Sequence, residues 1–209
     1  MKLKSLLMLA LAFSLTSCVT VWNQMSELKP IESYSTQNVV INEKNTMDAK
    51  ITFINDETVD GKIRGQKNMF YGSLTETSIN RFITIYDNTG KREYIHFQLL
   101  KEMTVKDYKG NERRFVNRGP EFQSLQELFY DGKIKWFREY YSNAYDGSVQ
   151  TTDYFKNENG EEVQVGLFNS MKNKLKQITS SKPELASKID NISGIDKESV
   201  IRILKEYEQ

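Results

Sequence analysis

Two side chains here are the only ones of their kind: Cys18 is the single cysteine and His96 the single histidine. A thiol can act as nucleophile, metal ligand or acyl acceptor, and an imidazole as base or ligand. One of each cannot build a zinc site of the usual Cys/His type, which needs several such ligands. A Ser/His/Asp triad would have to use His96, and the chain has no Gly-x-Ser-x-Gly elbow. His96 lies in the β-type run Glu93–Leu100, where Ile95, Phe97 and Leu99 share one face and Tyr94, His96 and Gln98 the other. It reads as a half-exposed strand histidine. Carboxylates are the remaining chemistry. Glu161-Glu162, Asp153 and Glu121 are the nearest to a pair, but neighbours on a strand point to opposite faces. They read as solvated surface charge. A carboxylate-dependent hydrolase of envelope or scavenged glycans is the alternative activity, and it requires two acids roughly 5–10 Å apart across one cleft. Asp87-Asn88-Thr89-Gly90 lacks the acid spacing of a calcium loop and reads as a turn. The glycines are dispersed among turns, not gathered into a phosphate-binding loop. No cofactor is expected.

The chemistry of Cys18 is set by what precedes it. Lys2 and Lys4 give a positive start, and Leu6 to Phe13 is an apolar run too short to span a bilayer. That is the layout of a secretory signal, and it runs into Leu15-Thr16-Ser17-Cys18. This tetrapeptide resembles the lipobox of bacterial lipoproteins. The resemblance implies that residues 1–17 are a signal peptide, that the peptidase cuts before Cys18, and that the thiol carries a diacylglycerol. Two or more acyl chains such as palmitate hold a protein stably at a membrane, where a single chain does not. Acylation would also remove the liability of a lone thiol in an exported protein. Val19-Thr20-Val21-Trp22-Asn23-Gln24 has no aspartate beside the cysteine and no acidic cluster. By resemblance to lipoprotein sorting signals, this implies the periplasmic face of the outer membrane.

Removing those 17 residues takes away two lysines and no acids, leaving 27 Lys+Arg against 28 Asp+Glu. A near-neutral chain offers no electrostatic reason to expect nucleic acid as a partner. With no disulfide possible inside the mature chain, stability must come from packing.

The densest chemical feature is aromatic. Trp136, Phe137, Tyr140, Tyr141, Tyr145, Tyr154 and Phe155 fall across two strand-like segments. On the first, Trp136, Arg138 and Tyr140 share one face, with Phe137, Glu139 and Tyr141 on the other. Such residues fill a small β core, or one face builds the core while the other stacks on a sugar or a partner protein. Trp136, Tyr140, Tyr141, Tyr145 and Tyr154 form the candidate binding surface.

The elements that position these residues follow from alternation and turn signals. From residue 18 to about 45 the chain is irregular and polar and reads as a lipidated tether, although Val39-Val40-Ile41 could form a first short strand. Strand-like runs then recur: Ala49–Ile54, Thr58–Arg64, Arg81–Tyr86, Glu93–Leu100, Met103–Tyr108, Arg113–Asn117, Phe122–Tyr130, Ile134–Tyr141, Val149–Phe155 and Glu161–Val165. Asp131-Gly132, Asp146-Gly147 and Asn159-Gly160 sit at joints and supply the positive φ of tight hairpins. Gly65–Ile79 is a longer, less regular insertion. After Gly166 the period changes. Phe168, Met171, Leu175 and Ile178 fall on one helical face, Pro183 starts a second short helix with Leu185 and Ile189 four apart, and Asp196 caps a last one bearing Val200, Ile203, Leu204 and Tyr207.

This predicts an α+β fold: an antiparallel β-rich sandwich or barrel-like domain over 46–166, then two or three short helices over 167–209. Tyr154-Phe155-Lys156, Asn159 to Val163, Pro183-Glu184-Leu185-Ala186 and Ile201 to Tyr207, with the Asp-Gly-Lys joints at 60–62 and 131–133, resemble uncharacterised β-rich envelope proteins of Bacteroidota. The resemblance covers roughly residues 48–209, implies the same architecture and compartment, and assigns no functional residue. The expected function is a non-enzymatic binding or scaffold module, lipid-anchored at the membrane, that contacts an envelope protein or glycan.

Overall fold

Alternating apolar and polar residues set the strands. In the computed structural model, which describes residues 43–86, 92–166 and 170–209, Met47, Ala49, Ile51 and Phe53 are buried while Asp48 and Lys50 face solvent. This is the period of two of a half-buried strand, and it makes β1 (Thr46–Phe53). The expected signal peptide, Cys18, the tether with Val39-Val40-Ile41, the turn Asp87–Gly90 and Phe168 lie outside the described residues.

Eleven further strands follow β1: β2 (Thr58–Arg64), β3 (Gln66–Lys67), β4 (Leu74–Thr75), β5 (Phe82–Tyr86), β6 (Arg92–His96), β7 (Leu100–Lys106), β8 (Glu112–Val116), β9 (Gln126–Asp131), β10 (Ile134–Ser142), β11 (Val149–Asn157) and β12 (Glu162–Val165). Nine of them join β1 in one antiparallel sheet of the described residues, in the order β12-β11-β10-β9-β8-β7-β1-β2-β5-β6, and β3 pairs with β4 as a separate hairpin. The order is a meander apart from one jump. The chain leaves β6 at the sheet edge and re-enters as β7 on the far side of β1.

That jump dictates the shape. His96 to Leu100 spans at most roughly 14 Å of chain, whereas four strand spacings on a flat sheet come to about 19 Å. The strands must therefore curl, and the result is barrel-like. Phe97–Leu99 forms a single tight turn inside the curl, where the sequence predicted one unbroken strand from Glu93 to Leu100. The Phe97 N–H donates to the Arg81 carbonyl, the Ile54 N–H to the Leu99 carbonyl, and Asn117 Nδ2 to the carbonyls of Phe97 and Leu100. Bringing the chain through the inside buries His96, Phe97, Leu99 and Leu100 together.

Two apolar cores result. The first fills the curl with Met47, Ile51, Phe53, Ile63, Ile83, Ile85, Met103, Val105 and Phe115. The second lies between strands β10–β12 and three helices, α1 (Met171–Ile178), α2 (Glu184–Asp190) and α3 (Lys197–Glu208). Leu175, Ile178, Leu185, Ile189, Val200, Ile203 and Leu204 meet Ile134, Trp136, Phe155 and Val163 there. This is the predicted α+β plan of an antiparallel β-rich body followed by three short helices.

The helix ends follow their sequence signals. Ser170 caps α1 through the Asn173 N–H, and Asp196 and Ser199 cap each other reciprocally at the start of α3. At the other end of α3, Glu208 Oε1 accepts the Lys133 N–H (2.9 Å) in the β9–β10 turn. Gly132 leaves room for that carboxylate, since a Cβ there would collide with both Glu208 and Tyr130. Burial and the same carboxylate push the Tyr130 hydroxyl up to about 12.

Leu204 is fully buried at the centre of the second core. Leu204→Ala is expected to cost about 2–5 kcal/mol of stability, the range for a cavity left in a packed core. Urea unfolding followed by Trp136 fluorescence would measure it.

Candidate functional site

One row of side chains crosses the inner face of seven strands. In register they are Ile51, Met103, Phe115, Glu127, Arg138, Asp153 and Val165. The row is apolar at both ends and charged in the middle, so a polar seam separates the two cores. Arg113, two residues before Phe115 on β8, points to the same face and donates to Glu127 from Nε (2.8 Å) and Nη2 (2.5 Å). It also reaches Glu76 Oε1 at 2.9 Å. The Tyr140 hydroxyl donates to Glu127 Oε2 (2.6 Å). Across β10, Arg138 grips Asp153 with Nε (2.9 Å) and Nη2 (3.1 Å), and Trp136 Nε1 donates to Asp153 Oδ1 (2.7 Å). Forked guanidinium–carboxylate geometry is the strong form of such a bond. The Arg138 guanidinium also lies over Phe129 at 4.8 Å. Burial, with the Glu127 carboxylate beside it, holds the Tyr140 hydroxyl well above its ordinary value. Every carboxylate of the seam is occupied by cations and donors, which is the chemistry of structure.

The opposite, outer face of β8–β11 carries a groove of about 420 Å³. Val116, Leu128 and Phe137 form its floor, and Arg114, Lys133, Lys135 and Lys156 stand on its rim with Asp131 and Glu158. At one end Arg118, only 7% exposed, is held between Phe137 (4.1 Å) and Phe122 (4.4 Å), with Tyr154 at 5.4 Å. It donates to Gln126 Oε1 (2.8 Å) and pairs with Glu162. A guanidinium stacked on two rings is fixed in position at little further entropic cost. The Tyr154 hydroxyl donates to Glu139 Oε2 (3.0 Å), and burial followed by that carboxylate pushes it up. Asp131 accepts from Lys135 (2.7 Å) and Arg114 (2.8 Å), and those two cations hold its carboxyl below the ordinary range. An acid kept ionised in this way is in the wrong state to donate a proton to a glycosidic oxygen. The groove is equipped to hold a ligand with acidic groups.

The five aromatics singled out in the sequence are not gathered on one surface. Trp136 and Tyr140 point inward and are buried on either side of the seam. Tyr141 is exposed on the outer face, Tyr154 is half-buried there beside Phe122, and Tyr145 is wholly exposed in the β10–β11 turn. Only Tyr154 adjoins the groove through Arg118. Sequence reasoning missed Arg118, Arg113 and Glu127. Arg113 and Glu127 carried a signal, a charge at an inward position of an alternating strand. Arg118 sits in the loop after β8, where alternation gives no reading.

His96, expected half-exposed, is buried, with the Phe97 and Phe82 rings at 4.7 and 5.0 Å. Its Nδ1 accepts the Gln98 N–H at the end of β6. Burial first, then the charge of Arg81, holds its pKa below the ordinary 6.5. Among the described residues no group of three or more His, Cys, Asp or Glu is placed to hold a metal ion. No helix of the described residues is long and apolar enough to cross a membrane. Compared with known proteins, the chain matches no family model, no curated protein and no solved structure.

Glu127→Gln leaves the buried Arg113 with Glu76 as its remaining carboxylate, and the change is expected to cost less than the roughly 3–5 kcal/mol of a fully uncompensated buried charge. The triple variant Arg113→Met/Glu127→Met/Tyr140→Phe, which leaves no buried group of this cluster unpaired except the partly exposed Glu76, should lose less than that single change, and urea midpoints for the two decide it. For His96, the unfolded chain binds the proton more tightly than the folded one. Its contribution is therefore complete above about pH 6.5 and falls as the pH drops from there towards the lower folded value. The unfolding midpoint of His96→Gln should lack that part of the acid slope in a pH series.

Proposed function

We propose that this chain is an envelope lipoprotein, anchored by acyl groups on Cys18, whose folded body is a non-enzymatic binding or scaffold module. The observation that carries the reading is the run from Lys2 through the apolar stretch to Leu15-Thr16-Ser17-Cys18, which ends on the chain's only cysteine. A thiol with no second cysteine to pair with is suited to acylation. The sequence after Cys18 supports the periplasmic face of the outer membrane, and the likeness to β-rich envelope proteins of Bacteroidota supports the same compartment.

The binding role rests on the outer-face groove. Its cationic rim and apolar floor suit an acidic segment of an envelope protein or an anionic glycan, with Lys156 and Lys133 as the contacts to reach it first. Arg118 is committed to Glu162, Gln126 and the rings, and serves to set the shape of the groove end.

Cys18→Ser is the decisive test. The variant should lose incorporation of labelled palmitate and leave the membrane fraction, while its folded body melts as in the unaltered protein. A variant that still incorporates labelled palmitate refutes the lipid anchor at Cys18, whatever fraction it is found in.

A further inference from the structure

We infer that the β3–β4 hairpin is a second membrane contact, its apex Met69-Phe70-Tyr71 inserting into the lipid surface to which the chain is tethered. The inference rests on the tether proposed above. It begins from exposure: Met69, Phe70 and Tyr71 are 96%, 91% and 76% exposed, three consecutive large side chains with nothing packed on them. Soluble proteins rarely display such a cluster without a use for it.

The loop is built, not slack. Asn68 Oδ1 accepts the N–H groups of Phe70 and Tyr71 (both 3.0 Å), the Asn68 N–H donates to the Ser73 carbonyl (2.7 Å), and the Gly72 N–H donates to the Asn68 carbonyl (2.9 Å). Gly72 makes the turn possible with φ of 63°. The base is fastened too. Tyr108 Oη donates to the Gly65 carbonyl, Ser78 Oγ accepts the Gln66 N–H, and Leu74 is buried in the first core. The Phe70, Tyr71 and Gly72 N–H groups are thus satisfied within the loop, which lowers the penalty for entering a medium without water. A protein partner that added a strand would need those donors free.

Position favours lipid over a protein partner. The chain arrives from its N-terminal side at Asn45, whose carbonyl accepts the Gly65 N–H, and Thr46 pairs with Arg64 at the base of the hairpin. The end of the body that receives the tether is therefore the end that bears the apolar apex. Between Arg64 and Ser73 there are two cations, Arg64 and Lys67, and no acid. Cations beside an apolar tip attract an anionic lipid surface, and Phe and Tyr suit the boundary between headgroups and chains.

The test uses the full chain purified from membranes, with Phe70→Cys carrying an environment-sensitive dye, in vesicles of phosphatidylethanolamine and phosphatidylglycerol. Tyr145→Cys, at the opposite end of the strands and wholly exposed, is the comparison. Nitroxide-labelled lipid should quench the dye at 70 several-fold more than at 145, with emission shifted to shorter wavelength at 70 alone. Adding Met69→Ser and Tyr71→Ser should bring quenching at 70 down to the level at 145, since each apolar side chain withdrawn lowers insertion by about tenfold or more. Equal, water-like emission at both positions overturns the inference, including in favour of a protein partner at the apex. Intact mass of the same samples reports acylation of Cys18 separately. If Cys18 is unmodified, the tether fails by itself, and the dye at 70 on a Cys18→Ser background, mixed with the same vesicles, still decides the apex.

Discussion

The fold depends on a line of buried charge. A ten-stranded sheet presents one inner face to two apolar cores, and along their border the side chains of β8–β11 are Arg113, Glu127, Tyr140, Arg138, Asp153 and the indole of Trp136. Charges in such a place are costly unless each is paired and its remaining donors and acceptors are filled. That condition is met in only one alignment of the strands. A slip of one residue in β10 would turn Arg138 outward and drive Phe137 and Glu139 against Asp153 and Glu127. The seam therefore reinforces the register that the buried faces of Trp136 and Tyr140 already favour.

Register on the inner face also fixes the outer one. The residues between the seam members on β10 are Lys135, Phe137, Glu139 and Tyr141, and Phe137 supplies both the groove floor and one of the rings holding Arg118. Structure and binding surface are thus alternate readings of the same strands, and a change in one is felt through the pleat by the other.

Much of this was visible in the residues. The alternation of β1, the Asp146-Gly147 and Asn159-Gly160 joints with positive φ at both glycines, and the three-part helical tail report local geometry. The Asp131-Gly132 joint, in contrast, turns without the positive φ expected of Gly132. Thr58–Arg64 coincides with β2 to the residue. Long-range closure was not visible. Phe97 and Leu99 continue the alternating pattern of β6, so only the need to pass inside the curl explains the turn there. The same limit applies to Trp136, whose indole suits a core or a binding face equally; the position of Asp153 on the adjacent strand decides, and pairing between strands is written in no single segment. Arg118 owes its place to rings contributed by β10, β11 and its own loop.

The hold of Glu208 on the β9–β10 turn has a bearing on how the chain is made. Synthesis runs from the N-terminus, so β10–β12 emerge well before the helix that covers them. Until α3 joins α1 and α2, Ile134, Trp136, Phe155 and Val163 are only partly covered, and the last turn of α3 is what fastens it to Lys133. Closure of the second core therefore waits for α3 to follow the strands it helps to cover.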